Sequence, residues 1–370
     1  MATYYVGSGG NDGNAGTSWG ARKLTIQSAV TAASSAGDTV YVAPGTYRET
    51  VTFGSSGSGG SPISLIGDYT GVNTSGTRGV VWITGSNDDI SGARANVLVA
   101  SSKSYITISG FRLGGSTGSV VSLTSCTNIT ISKCFIDAPF ASAQSNVNIA
   151  GSGQASTVVE QCYIRGGNST CAAVNYTHTS AVDNTSHVVR NCIILGPYDG
   201  YGVQASKIGN ISVANCLFMY SIYAIANVSA PTAGQTITVN NCILAHCRTG
   251  FWATATGEIT EDYNTLMNVS TARTNTSTGA NSVTRPPLFD ARWFFELVNG
   301  GRVITPFDLS SYSTLVEYNS GTGAPSTDLR GAAQVGSYRE WGPLEYNANL
   351  GIMSPMPVVG SPIIRGLGTV

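Results

Sequence analysis

The sequence is short of charge, of histidine and of long apolar runs, and each shortage removes a class of function. Lys and Arg number 19 and Asp and Glu 20 in 370 residues, or 11%, where about 25% is usual. With a net charge of −1 and no basic run, the chain lacks the electrostatic footprint of a nucleic-acid binder. No apolar stretch reaches the ~18 residues of a membrane-spanning helix. Neither nucleic acid nor membrane is therefore an expected partner. The three histidines, His178, His187 and His246, have no metal-ligand spacing, and no metal is expected. Met1–Tyr5 has neither a basic n-region nor an apolar h-region, which predicts either no Sec export or a signal already removed.

Gly, Ser, Thr and Asn fill the space, with 45 glycines, and one phrase recurs seven times between Ile106 and Leu266. It reads Ile-Thr-Ile-Ser-Gly-Phe at 106–111, Ile-Thr-Ile-Ser-Lys-Cys at 129–134 and Thr-Val-Val-Glu-Gln-Cys at 157–162. It continues as His-Val-Val-Arg-Asn-Cys (187–192), Ile-Ser-Val-Ala-Asn-Cys (211–216) and Ile-Thr-Val-Asn-Asn-Cys (237–242), then fades at 259–264. Equivalent sixth positions lie 23, 28, 30, 24, 26 and 22 residues apart. The apolar–polar alternation has the period of a strand. A strand-bearing repeat of roughly 20–50 residues without a helical period specifies a solenoid.

Coils of a parallel β-helix stack ~4.8 Å apart, so equivalent residues form ladders. Cys134, Cys162, Cys192, Cys216 and Cys242 share one rung, with Ile131, Val159, Val189, Val213 and Val239 three residues earlier. Asn191, Asn215 and Asn241 precede the cysteine, with Gln161 and Lys133 in that slot earlier. A sharp corner between two strands needs the left-handed backbone that asparagine tolerates. The corner resets the alternation, so the cysteine and the residue two later both point inward. Such a thiol column packs as free, reduced cysteine. Cys126, Cys171 and Cys247 lie off the ladder and suggest no pairing.

Two flanking segments complete the pattern. One is Tyr-Tyr-Val-Gly-Ser-Gly-Gly-Asn-Asp-Gly-Asn-Ala-Gly-Thr-Ser (4–18) with Gly-Asp-Thr-Val-Tyr-Val-Ala-Pro-Gly-Thr-Tyr-Arg-Glu (37–49). The other is Ser-Thr-Asp-Leu-Arg-Gly (326–331) with Trp-Gly-Pro-Leu-Glu-Tyr (341–346). With the repeats, these resemble the right-handed parallel β-helix superfamily, the pectate-lyase-like group that also includes phage tailspikes. The expected fold class is all-β, a right-handed parallel β-helix of about ten coils. It carries an N-terminal capping helix over 25–36 and a partly irregular C-terminal tail. Residues 1–285 would form the capped helix, and 286–370 a closing segment packed on the same domain. The resemblance implies no single chemistry, because the group hosts lyases, hydrolases, epimerases and non-catalytic binders.

Within the cap, Ile26, Ala29, Val30 and Ala33 form one stripe, with Thr25 as N-cap and Gly37 as C-cap. Early strands are expected at 40–42, 63–66, 80–83 and 97–99, and 270–285 reads as a polar crossing. Asn11, Asp12 and Asn14 offer oxygens to calcium, but a turn-rich loop is the preferred reading. No cofactor is expected, with calcium left open.

Three sets of residues are candidates for function. Phe135, Tyr163, Ile193, Leu217 and Ile243 follow the ladder residues and should point outward as an apolar stripe, larger than a monomer leaves exposed. Either the tail or the neighbouring subunits of a homotrimer would cover it. The second set is a glycan surface of Tyr198, Asp199, Tyr201, Tyr220, Tyr223, His246, Arg248 and Trp252. Aromatic faces there would stack on sugar C–H faces while polar partners meet hydroxyls. Trp252 is expected to face outward near Gln204 and Asn175. The third set is catalytic. A lyase needs an acid cluster for calcium and a Lys or Arg base, and a hydrolase needs two facing carboxylates roughly 5–10 Å apart. No acids are expected beside Lys133 and Arg165 or beside Lys207 and Arg248. Asp137 and Asp199 are a weak pair, and Glu160 with Arg190 reads as a surface ion pair.

The leading expectation is a non-enzymatic virion or surface protein, such as a tailspike, fibre or capsid appendage, that binds surface polysaccharide. Its partners would be itself or other virion proteins, and its place the virion or an extracellular surface. The rival is a secreted polysaccharide lyase or glycoside hydrolase, and a third class is a cell-surface adhesin.

Overall fold

The computed structural model describes residues 1–140, 144–166, 171–178, 186–196, 200–207, 210–229 and 236–284, and the backbone of 296–298 and 302–304. Among these residues, three parallel sheets contain ten, nine and nine strands. A representative coil runs through Val158–Glu160 in the first sheet, Tyr163–Arg165 in the second and Ala172–His178 in the third. Nine such coils, separated by eight rises, follow the lead strand Thr3–Val6, close to the count expected. The protein is an all-β parallel solenoid with almost no helix.

Register follows the rungs read from the sequence. Ile131, Val159, Val189, Val213 and Val239 are direct partners from coil to coil and are fully buried, as are the five ladder cysteines. Before each cysteine, Lys133, Gln161, Asn191, Asn215 and Asn241 have φ between 50 and 58°. That left-handed corner turns the chain into the second sheet, where Ile136, Ile164, Ile194, Phe218 and Leu244 point back into the core with no exposure. All eight cysteines are free and buried. Burial pushes the thiols of Cys162, Cys192 and Cys216 well above the ordinary range.

The cap is shorter than the pattern predicts. Helix α1 spans Ile26–Ala32, with the Thr25 side chain accepting from the Ser28 N–H as expected. It ends at Ala33 rather than near Gly37, because Ala33 is the last residue the core can bury before polar Ser34 and Ser35. The Glu49 carboxylate accepts from the Ile26 and Gln27 N–H groups at 2.9 and 2.8 Å, placing negative charge at the helix N-terminus. Both oxygens of Asp12 are held by Leu24 and Thr25, which ties the N-terminal loop to this cap.

Three strands escape the sequence reading. Gly45–Tyr47 and Val51–Phe53 belong to the first coil, and Thr271–Thr274 pairs with Thr249–Trp252 where a polar crossing was expected. Thr271–Thr274 buries none of its residues, so no apolar alternation marks it. In the last coil Glu261 takes the rung of Val239, and Arg273 that of Phe251. Their carboxylate and guanidinium meet at 2.6 Å, with the Glu261 side chain fully buried. From 286 onward only the backbones of Glu296–Val298 and Arg302–Ile304 are described, as an antiparallel pair. The expected closing role of that tail lies outside the described residues.

Candidate functional site

The three sheets present three outer faces, and their chemistry differs. On the third sheet, parallel register lines up Asn148, Asn175, Gln204, Ala226 and Trp252 on five consecutive coils. Asn175 donates to Asn148 at 2.8 Å and to Thr177 at 3.0 Å. At the strand starts Tyr201 pairs with Tyr223, and their rings stack at 5.1 Å and 15°. The Tyr223 ring then meets Trp252 at 5.8 Å and 56°. All three aromatics are half-buried. The row spans roughly 19 Å at the coil spacing.

Other expected glycan residues flank this row. Tyr220 and His246 occupy the corner between the second and third sheets, both left-handed, with rings stacked at 5.6 Å. Arg248 is exposed one residue before Thr249–Trp252. Tyr198 and Asp199 lie outside the described residues. Trp252 faces outward as expected, but two coils beyond Gln204 and three beyond Asn175.

The outer face of the second sheet is apolar and withdrawn from water. Tyr163, Ile193, Leu217 and Ile243 are nearly or fully buried within the single chain, and Phe135 packs against them half-buried. The stripe was expected to be covered by the tail or by neighbouring subunits, and the tail lies outside the described residues. Toward the N-terminus the same row continues as Trp82 and Arg112, which sequence reading missed. The Arg112 guanidinium sits 4.4 Å over the Trp82 ring and 5.8 Å from Phe135, and Phe135 stacks on Tyr163 at 4.9 Å.

This row also corrects the expectation that no acid accompanies Arg165. Ile136 pairs with Ile164, so the next residues, Asp137 and Arg165, face each other and meet at 2.6 Å. Arg112 reaches the other oxygen of Asp137 at 3.0 Å. Counting three residues past Cys134 and Cys162 pairs Asp137 with Arg165, whereas Arg112 sits on the rung of Phe135. Asp137 is mostly buried between these two cations. Glu160 and Arg190 form the expected pair at 2.6 Å with partly exposed side chains.

The first sheet carries a shallow depression lined by Ser186, Asn210, Ile211, Ser212, Thr236 and Thr238. Among the described residues, no group of three or more His, Cys, Asp or Glu side chains converges as a metal site. His187 is an inward residue with no exposure. It lies 4.9 Å from the Tyr176 ring, and burial lowers its pKa to about 4.

No family model matches the sequence, and no curated protein does. The fold itself has clear counterparts among solved structures. A pectate lyase, Pel9A, superposes with a TM-score of 0.59 at 16% identity, covering 94% of this chain and 97% of its own. A rhamnogalacturonan lyase superposes with a TM-score of 0.54 at 15% identity, covering 77% and 87%. These likenesses identify the fold as the right-handed parallel β-helix.

Proposed function

We propose that this protein is a rigid polysaccharide-binding β-helix whose glycan surface is the outer face of the third sheet. One observation carries the reading: the Tyr201–Tyr223–Trp252 wall continues into the Asn148–Asn175–Gln204 amide row on the same face. Aromatic faces stack on sugar C–H faces, and amides supply both donors and acceptors to hydroxyls. A parallel stack repeats these contacts at every coil, which suits a polymer. We infer a non-enzymatic role at a virion or other extracellular surface, with the solenoid as a stiff spacer. A column of buried thiols and an acid locked by two arginines support a structural role over a catalytic one. The protein's candidate partners are a second copy of this chain or other virion proteins.

The rival reading, a polysaccharide lyase or hydrolase, is favoured by the two superposed enzymes. Arg248 and Lys207, both exposed at the edges of the third sheet, are then the residues to mutate first. Affinity electrophoresis in polysaccharide gels, run beside assays for unsaturated products and new reducing ends, separates the two. Retention without product supports the binder. Product formation abolished by Arg248→Ala or Lys207→Ala would transfer the protein to the enzymes.

A further inference from the structure

We infer that the glycan held on the third sheet is uncharged and lies along the solenoid axis, in register with the coils. This rests on the reading of that face as the binding surface and goes on to its substrate class. The outward row from Asn148 to Trp252 contains amides, an alanine and an indole. The parallel outward row on the same strands, Ala150, Thr177 and Ser206, is also uncharged. Two outward rows over successive coils thus present neither an acid nor a base.

Among the described residues, Lys207 directly follows Tyr201–Ser206 and Arg248 directly precedes Thr249–Trp252, at opposite edges of the sheet and two coils apart. A polyuronate laid along the axis would bring about one carboxylate per coil, since a pyranose unit is close in length to the ~4.8 Å rise. Each carboxylate would exchange water for neutral amides without a matching cation, which is unfavourable. A neutral glycan asks for what the row offers: a ring face against Tyr201, Tyr223 or Trp252, and hydroxyl or acetamido groups against Asn148, Asn175 and Gln204. The lateral spacing of these contacts also sets direction. A chain crossing the coils at right angles meets one of Tyr201 and Tyr223, whereas an axial chain meets both, because they share a rung.

The test is a glycan array carrying neutral, uronate and sulfated oligosaccharides of two to eight units, probed with the full chain. Trp252→Ala, Tyr223→Ala and Gln204→Lys are run beside it, after thermal melts confirm that each is folded. The expected hits are neutral, strengthen with length up to about five units (one per coil), and are insensitive to added salt. Both alanine variants should lose at least tenfold in affinity, and Gln204→Lys should shift hits toward uronates. Acidic hits that fall with salt and vanish in Trp252→Ala would overturn the uncharged class while leaving the surface in place. Hits of either class unchanged in both alanine variants would overturn the surface itself, as would no binding anywhere on the array.

Discussion

The outer faces of the second and third sheets are made by the same coils, one strand apart, with the same rise and the same parallel register. On the second sheet, bulky aliphatic residues follow one another at Ile193, Leu217 and Ile243, and the row is withdrawn from water. On the third, the equivalent coils carry half-buried Gln204 and Trp252 on either side of a buried Ala226. Backbone geometry is therefore indifferent to function here. What separates a sealed face from a receptive one is which side chain each coil repeats, and repetition magnifies every choice.

Perturbing the sealed face should have the largest effect. Ile193→Ala and Leu217→Ala are each expected to cost about 2–5 kcal/mol in denaturant unfolding, while Tyr201→Ala on the open face costs about 1 kcal/mol. Equal losses would erase the contrast. The interior offers a sharper variant, because His187 is a polar group fully inside, directly opposite Ile211. Its pKa of about 4 when folded lies below the ~6.5 of an unfolded chain. The unfolded state therefore takes up the proton first, and stability complete above pH ~6.5 falls as the pH drops toward 4, by roughly 3 kcal/mol. His187→Ile should flatten that part of the stability–pH curve; an unchanged slope would place the acid sensitivity elsewhere. Next, Trp252→Ala should weaken glycan binding about tenfold, near 1.4 kcal/mol, with little change in melting temperature. The smallest effect belongs to the exposed pair: Arg190→Ala should cost less than about 1 kcal/mol, and a larger loss would mean that the pair braces the first sheet.

The coil interior was legible because its rungs are chemically distinct. Thiols, β-branched residues and left-handed asparagines recur in fixed order, and each finds its place. Val51–Phe53 was not legible, since it lies outside the repeated phrase that marks the other coils. The site was legible in kind more than in contact. Tyr201, Tyr223 and Trp252 were found as aromatics near one edge, but their mutual stacking depends on register between coils of unequal length. The Arg112–Asp137–Arg165 triad escaped for the same reason: its members lie in three coils, and only strand pairing aligns them.

The thiol column has a consequence for how this molecule can be watched. Cys134, Cys162, Cys192, Cys216 and Cys242 mark five successive coils and are all without exposure, so none can react with an alkylating reagent until its own coil opens. A timed pulse of such a reagent, followed by peptide mass mapping, would write the order of opening into the chain. Labels spreading from one terminal cysteine would mean that the stack unzips, and labels appearing together would mean that it yields as one body.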